Sequence, residues 1–178
     1  MVKKMSTSNN FEDIDKVIEQ EINPETIKLT RKPLFNPEGN DHVSQRKVVG
    51  GNSTNLFNLN NVKYKWAPNM YRVMMGNFWV PEKVDLSKDS LDYSKLTKDE
   101  IRAFDGILSF LTFLDSIQTN NISNIADWIT APEITTVLAI QTYQEAIHSQ
   151  SYSYVIESVI TNDKRGKIYD FWRDDDIL

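Results

Sequence analysis

The chain has no cysteine, which excludes disulfide staples, thiolate metal sites and thiol catalysis and makes an intracellular setting the natural expectation. Its only histidines are His42 and His148, so it can offer at most two imidazoles to a metal. No window reaches the roughly 18 consecutive apolar residues of a membrane helix. The lysines in the opening MVKKMSTSNNFEDIDKVIEQ lack the apolar run of a secretory signal behind them. There is no concentrated Lys/Arg block either, and with a net charge of -5 and a pI near 5.1 neither nucleic acid nor a membrane surface is expected as a partner. Period-two alternation bounded by hairpin turns, internal repeats and a glycine-rich phosphate loop are all missing. What is left is an all-α, cytoplasmic protein whose 178 residues, 40% of them hydrophobic, suffice for one core.

The chain divides by composition. Residues 1–55 are polar, carry Gly39, Gly50, Gly51, Pro24, Pro33 and Pro37, and read as an extended, partly disordered arm. Residues 56–178 read as helical. In VKYKWAPNMYRVMMGNFW, apolar residues at Val62, Trp66, Met70, Val73 and Met74 predict a short helix ending near Asn77. Thr97-Lys-Asp-Glu100 has the spacing of a capping box, and the three-and-four repeat of Ile101, Phe104, Ile107, Leu108, Leu111, Leu114 and Ile117 predicts a long helix to about Ile125. Thr130-Ala-Pro-Glu133 reads as a second box, opening a helix over 132–160 so densely apolar that most of its surface should be buried. DKRGKIYDFWRDDDIL predicts a last helix of about three turns.

The chemistry concentrates in QEAIHSQSYSY. Glu145 and His148 stand three apart and Tyr152 seven beyond Glu145, so a helix puts all three on one stripe. Glu-x-x-His is the half-site that helical bundles use in pairs to hold two metal ions. A surface glutamate beside a satisfied core histidine is the competing reading, and a core tyrosine with a hydrogen-bonded hydroxyl is the competing reading of Tyr152. Against the first stand the apolar flanks, which make an unpaired Glu145 costly. Asp115 adds a second acid on the same face as Leu108 and Leu111. The short connection between the two long helices lets them return antiparallel and bring Asp115 to Glu145. Oxygen donors with one imidazole suit iron or manganese better than calcium.

With these residues in view, the sequence resembles the small, radical-generating subunit of class I ribonucleotide reductase. The likeness runs from about Lys32 to the last residue, through NNVKYKWAPNMYRVMMGNFWVPEKVDL, LTKDEIRAFDGILSFLTFLDSIQ and PEITTVLAIQTYQEAIHSQSYSYVIESV, in that order. The resemblance implies a ferritin-like helical bundle holding two metal ions between four carboxylates and two histidines, reacting with dioxygen and oxidising a tyrosine to a stable radical for deoxyribonucleotide synthesis. It matches Asp115 and His148 to metal ligands, Glu145 to a bridging ligand, Tyr152 to the radical tyrosine and Trp79 to the tryptophan that passes electrons. The metals it implies are two irons, two manganeses or one of each. The partners it implies are the large subunit, which holds the nucleotide, and a dimer of small subunits.

The match departs from the family where the remaining ligands should be. After His148 there is no further histidine, and Glu157, Asp163, Asp170 and Asp174–Asp176 offer no second Glu-x-x-His pair. Three ligands do not close a two-metal site, so the expectation is half of a ferritin-like bundle, inactive alone and completed by a second polypeptide. A truncated product, a non-catalytic helical assembly module and a related ferritin-like oxidase are the alternatives.

Overall fold

The computed structural model describes residues 30–173. Most of the expected arm 1–55 before residue 30, and Asp174–Asp176, therefore lie outside the described residues. Among the described residues every regular element is a helix, apart from one isolated antiparallel bridge, Val49 with Ile129. The α-helices are α1 (Trp66–Gly76), α2 (Asp89–Tyr93), α3 (Lys98–Ala126), α4 (Pro132–Val159) and α5 (Asn162–Asp170), with 3-10 turns at Val43–Gln45, Pro81–Lys83 and Phe171–Arg173. The chain divides into two compact units: residues up to Tyr64 with Asp127–Thr135, and Lys65–Ala126 with the residues from Thr136 onward.

The first unit is built from loops, and polar contacts hold it. Arg46 Nη1 donates to Glu133 Oε2 at 2.9 Å, with the two side chains 1% and 0% exposed. Glu133 Oε1 accepts the backbone N–H groups of Lys63 at 2.9 Å and Tyr64 at 3.2 Å, and Lys63 Nζ donates to the Arg46 carbonyl at 2.8 Å. Both carboxylate oxygens are thus satisfied, which a fully buried anion needs. Nearby, Thr130 Oγ1 accepts from Gly51 N–H and donates to the Lys47 carbonyl, both at 2.9 Å. This approach requires glycine: a Cβ on Gly51 would stand 2.8 Å from that hydroxyl, and Gly50 turns the chain at φ 66°.

The second expected capping box is therefore corrected. The helix begins at Pro132, so Ala131 holds the cap position, and Thr130 and Glu133 sit one register off the box. Their side chains bind residues 46–64 of their own unit instead. The first box is present. Thr97 N–H donates to Glu100 Oε2 at 2.8 Å and Glu100 N–H to Thr97 Oγ1 at 3.3 Å, which fixes the start of α3 and holds the Glu100 carboxyl below its ordinary range.

In the second unit, Tyr93, Leu108, Ile156, Val159, Ile160 and Ile168 form a buried cluster against which Phe104 and Tyr152 pack. α2 is a five-residue helix that periodicity did not reveal. It delivers Tyr93, whose hydroxyl donates to Asp105 at 2.9 Å and whose ring meets Phe104 edge-on. Burial first, then the Asp105 hydrogen bond, push its phenol up to about 12. Burial of α4 is less complete than its apolar content implied. Ile134, Val137, Ile156 and Val159 are buried, but most of 138–155 is only half-buried and Tyr143 is exposed, because the described residues cover only part of its circumference.

Two outcomes follow from these contacts. Glu133→Ala strands a buried guanidinium and two N–H donors, and is expected to cost roughly 3–5 kcal/mol in urea unfolding followed by circular dichroism; a cost below about 1 kcal/mol, the value of an exposed pair, would contradict the buried network. Tyr93 has a folded pKa above its unfolded value near 10. Its contribution to stability is accordingly complete below pH 10 and lost as pH rises toward 12. Tyr93→Phe should make the alkaline decline in melting temperature shallower, and an unchanged decline would count against the assignment.

Candidate metal centre

α3 and α4 return past one another across the five-residue connection 127–131. Asp115, eleven residues before the end of α3, thereby meets α4 residues thirteen and sixteen beyond its start. His148 Nδ1 lies 3.1 Å from Glu145 Oε2 and 3.6 Å from Asp115 Oδ2. One ligand atom from each residue falls within 4.8 Å of the others. The carboxylates are largely withdrawn from water, at 18% for Asp115 and 16% for Glu145, whereas the imidazole is 42% exposed and marks the open side. Both carboxylates were expected to be buried; each keeps a solvent edge.

The i,i+3 spacing brings Glu145 and His148 together on α4, and helix return brings Asp115. Two acidic groups at this separation repel one another unless a proton or a cation stands among them. Two hard oxygen donors and one imidazole nitrogen form a set that can ligate a first-row divalent metal, and this fits iron or manganese. Three protein ligands leave positions open on any such ion.

Tyr152 lies one turn beyond His148 and is half-buried. Burial, then the Asp115 carboxylate beside it and the charge of Glu145, push its phenol's pKa up to about 12. Trp79 leads from α1 toward the same place, with its ring centroid 6.2 Å from that of His148. It lines an apolar recess of about 260 Å³ with Phe78, Met74, Tyr143 and Ile147. All five residues singled out in the sequence therefore occupy one neighbourhood of the second unit.

The residues that sequence reasoning missed are the ones fixing this neighbourhood. Gln144 Nε2 donates to the Met74 carbonyl at 2.9 Å, and Tyr154 Oη to the Val84 carbonyl at 3.3 Å, tying both flanks of Trp79 to α4. Both lie in QEAIHSQSYSY, whose excess of amide and phenol groups on an apolar helix was the available signal.

Fold and site together define a helical bundle with a carboxylate-imidazole cluster that could hold a metal ion. The family model for the ribonucleotide reductase small chain matches residues 56–178, and the chain belongs to that family. It is 49% identical over 150 residues to the ribonucleoside-diphosphate reductase subunit beta of Treponema pallidum (strain Nichols), covering 84% of this chain and 43% of that protein. To the corresponding subunit of Aquifex aeolicus (strain VF5) it is 41% identical over 156 residues, covering 86% of this chain and 22% of that protein. The fold superposes on the ribonucleotide reductase R2 subunit from Clostridium botulinum with a TM-score of 0.79 and 46% identity, over 83% of this chain and 46% of that one. The chain thus spans less than half the length of these relatives. The family is one of oxidoreductases, and no helix among the described residues is long and apolar enough to cross a membrane.

The Tyr152–Asp115 contact gives a direct check. Asp115→Ala removes the nearer carboxylate, so the Tyr152 phenol should ionise at lower pH in a metal-free near-ultraviolet titration, while burial keeps it above the ordinary value near 10. An unshifted titration, with Tyr152→Phe identifying the signal, would mean that Asp115 does not bear on the phenol.

Proposed function

We propose that this chain is part of the small subunit of a ribonucleoside-diphosphate reductase, and that Asp115, Glu145 and His148 supply part of its dinuclear metal centre. Tyr152 is in this reading the residue oxidised to a radical for deoxyribonucleotide synthesis. The observation that carries it is the convergence of the three ligand atoms within 4.8 Å, in a member of this family. The metals are two irons, two manganeses or one of each. When bound, such a centre supplies oxidising capacity drawn from dioxygen.

The chain's own residues govern the proton and the route to the site. The Asp115 carboxylate bears most directly on the Tyr152 phenol, so it is the group positioned to receive the phenolic proton when an electron leaves the ring. Trp79, with its ring beside His148, is the aromatic step through which electrons reach the site from outside. The hydrogen bonds of Gln144 and Tyr154 hold the Trp79 segment in register with α4.

Three ligands do not complete two coordination spheres, so the centre needs ligands beyond Asp115, Glu145 and His148. The surface open to further packing is α3, where Ile107, Phe110, Leu114 and Ile117 are exposed at three-and-four spacing. A contiguous apolar stripe of this kind marks an interface. The assembled unit in turn pairs with a second copy and docks the large subunit.

The same stripe favours one other reading, a non-catalytic helical module that regulates assembly. The two separate on His148→Ala in the assembled complex. Catalysis through the site predicts loss of bound metal, of the radical signal and of at least about 100-fold in nucleotide reduction; unchanged activity leaves only the assembly role. Tyr152→Phe should keep the metals and abolish the tyrosyl signal in electron paramagnetic resonance together with reduction. Continued turnover in that variant would point to a related oxidase.

A further inference from the structure

Trp79 stands in an irregular stretch, residues 77–80, between the end of α1 and the 3-10 turn at Pro81–Lys83. Both Trp79 and its neighbour Phe78 are exposed. An exposed ring on a segment without repeating backbone hydrogen bonds ordinarily samples several rotamers. Here the indole instead meets the His148 imidazole, with 6.2 Å between ring centroids and 35° between planes. Holding that arrangement takes an anchor outside the segment.

Gln144 supplies the anchor. The last carbonyls of a helix have no partner within it, and at the end of α1 the Met74 carbonyl accepts the Asn77 N–H at 3.2 Å. A carbonyl has room for a second donor, and the Gln144 amide Nε2 takes that place at 2.9 Å in partly buried surroundings. Close packing does not hold the helix end: a side chain at Gly76 would meet no neighbouring atom within 4 Å. Gln144 also lines the recess that contains Trp79 and Met74. It precedes Glu145 by one residue and His148 by one turn, so its bond ties the Trp79 segment to the helix that carries two of the three convergent donors. Tyr154 holds the other side of the segment through the Val84 carbonyl, but at 3.3 Å and in an exposed position where water competes, which makes it the weaker of the two ties.

We propose that Gln144 is a positioning residue for Trp79: its amide bond to the Met74 carbonyl sets the indole against the His148 imidazole. The placement of the ring stands on this geometry, whereas its consequence, an aligned aromatic route to the site, rests on the reading of Asp115, Glu145 and His148 as metal ligands.

The test compares the full chain as wild type, Gln144→Met and Gln144→Lys. Methionine keeps an unbranched chain of similar length without a donor, and lysine restores a donor for the same carbonyl. In metal-free protein, nuclear Overhauser contacts between the Trp79 and His148 rings are expected in the wild type, lost in Gln144→Met and regained in Gln144→Lys. Mn(II) binding, followed by electron paramagnetic resonance of the ion, should be equal in wild type and Gln144→Met, because the amide binds α1 rather than a ligand. Ring contacts that persist in Gln144→Met would overturn the proposal, and so would a parallel loss of Mn(II) binding, the mark of a general disruption of α4. A wild type that shows the ring contacts and binds no Mn(II) would count against the metal-centre reading instead, with the comparison of ring contacts still deciding the placement.

Discussion

Asp115 and Glu145 converge on one imidazole nitrogen, and much of the second unit is arranged so that they can. Like charges at this separation, only 18% and 16% exposed, are unfavourable in a region of reduced dielectric unless a cation or proton lies among them. Holding the groups together takes two long helices returning past each other and a cluster from Leu108 to Ile168 that fixes their packing. The Trp79 segment is latched to α4 by Gln144 and Tyr154. Buried apolar contacts set the positions, and the acids occupy places that such contacts alone would not favour.

Tyr152 and Tyr93 show how one packing environment treats two phenols. Both belong to or pack against the same cluster, both feel an aspartate, and both are pushed up to about 12 with burial as the leading cause. They differ in the partner. Asp105 faces Tyr93 away from the ligand cluster, whereas Asp115 is itself one of the three convergent donors. The position of the neighbouring carboxylate, rather than the ionisation of the phenol, distinguishes the tyrosine beside the ligand cluster from the one that secures a short helix.

Much of the fold could be read from the sequence because its strongest signals are local. The repeat from Ile101 to Ile117 and the Thr97–Glu100 box place α3 within a residue or two, and the apolar run places α4. α2 was missed because a five-residue helix, with three polar residues beside Leu91 and one buried tyrosine, is too short to show a periodicity. Glu133 was misread as a cap partner because its true partners, Arg46 and the N–H groups of Lys63 and Tyr64, lie some seventy to ninety positions away in the chain. Glu145 and His148 were legible as a pair from their spacing, and Asp115 from an acid on an apolar face. Their distances, the exposed edge of His148 and the influence of Asp115 on Tyr152 depend on how the helices meet, which no single helix encodes.

The account rests on the claim that Asp115, Glu145 and His148 are ligands of a metal centre. Native mass spectrometry of the complex this chain forms in its source, with bound metals counted, tests that claim most directly. Bound metal that is lost in His148→Ala is the expected result. A metal-free complex would contradict it and would leave Asp115, Glu145 and His148 as ligands without a centre.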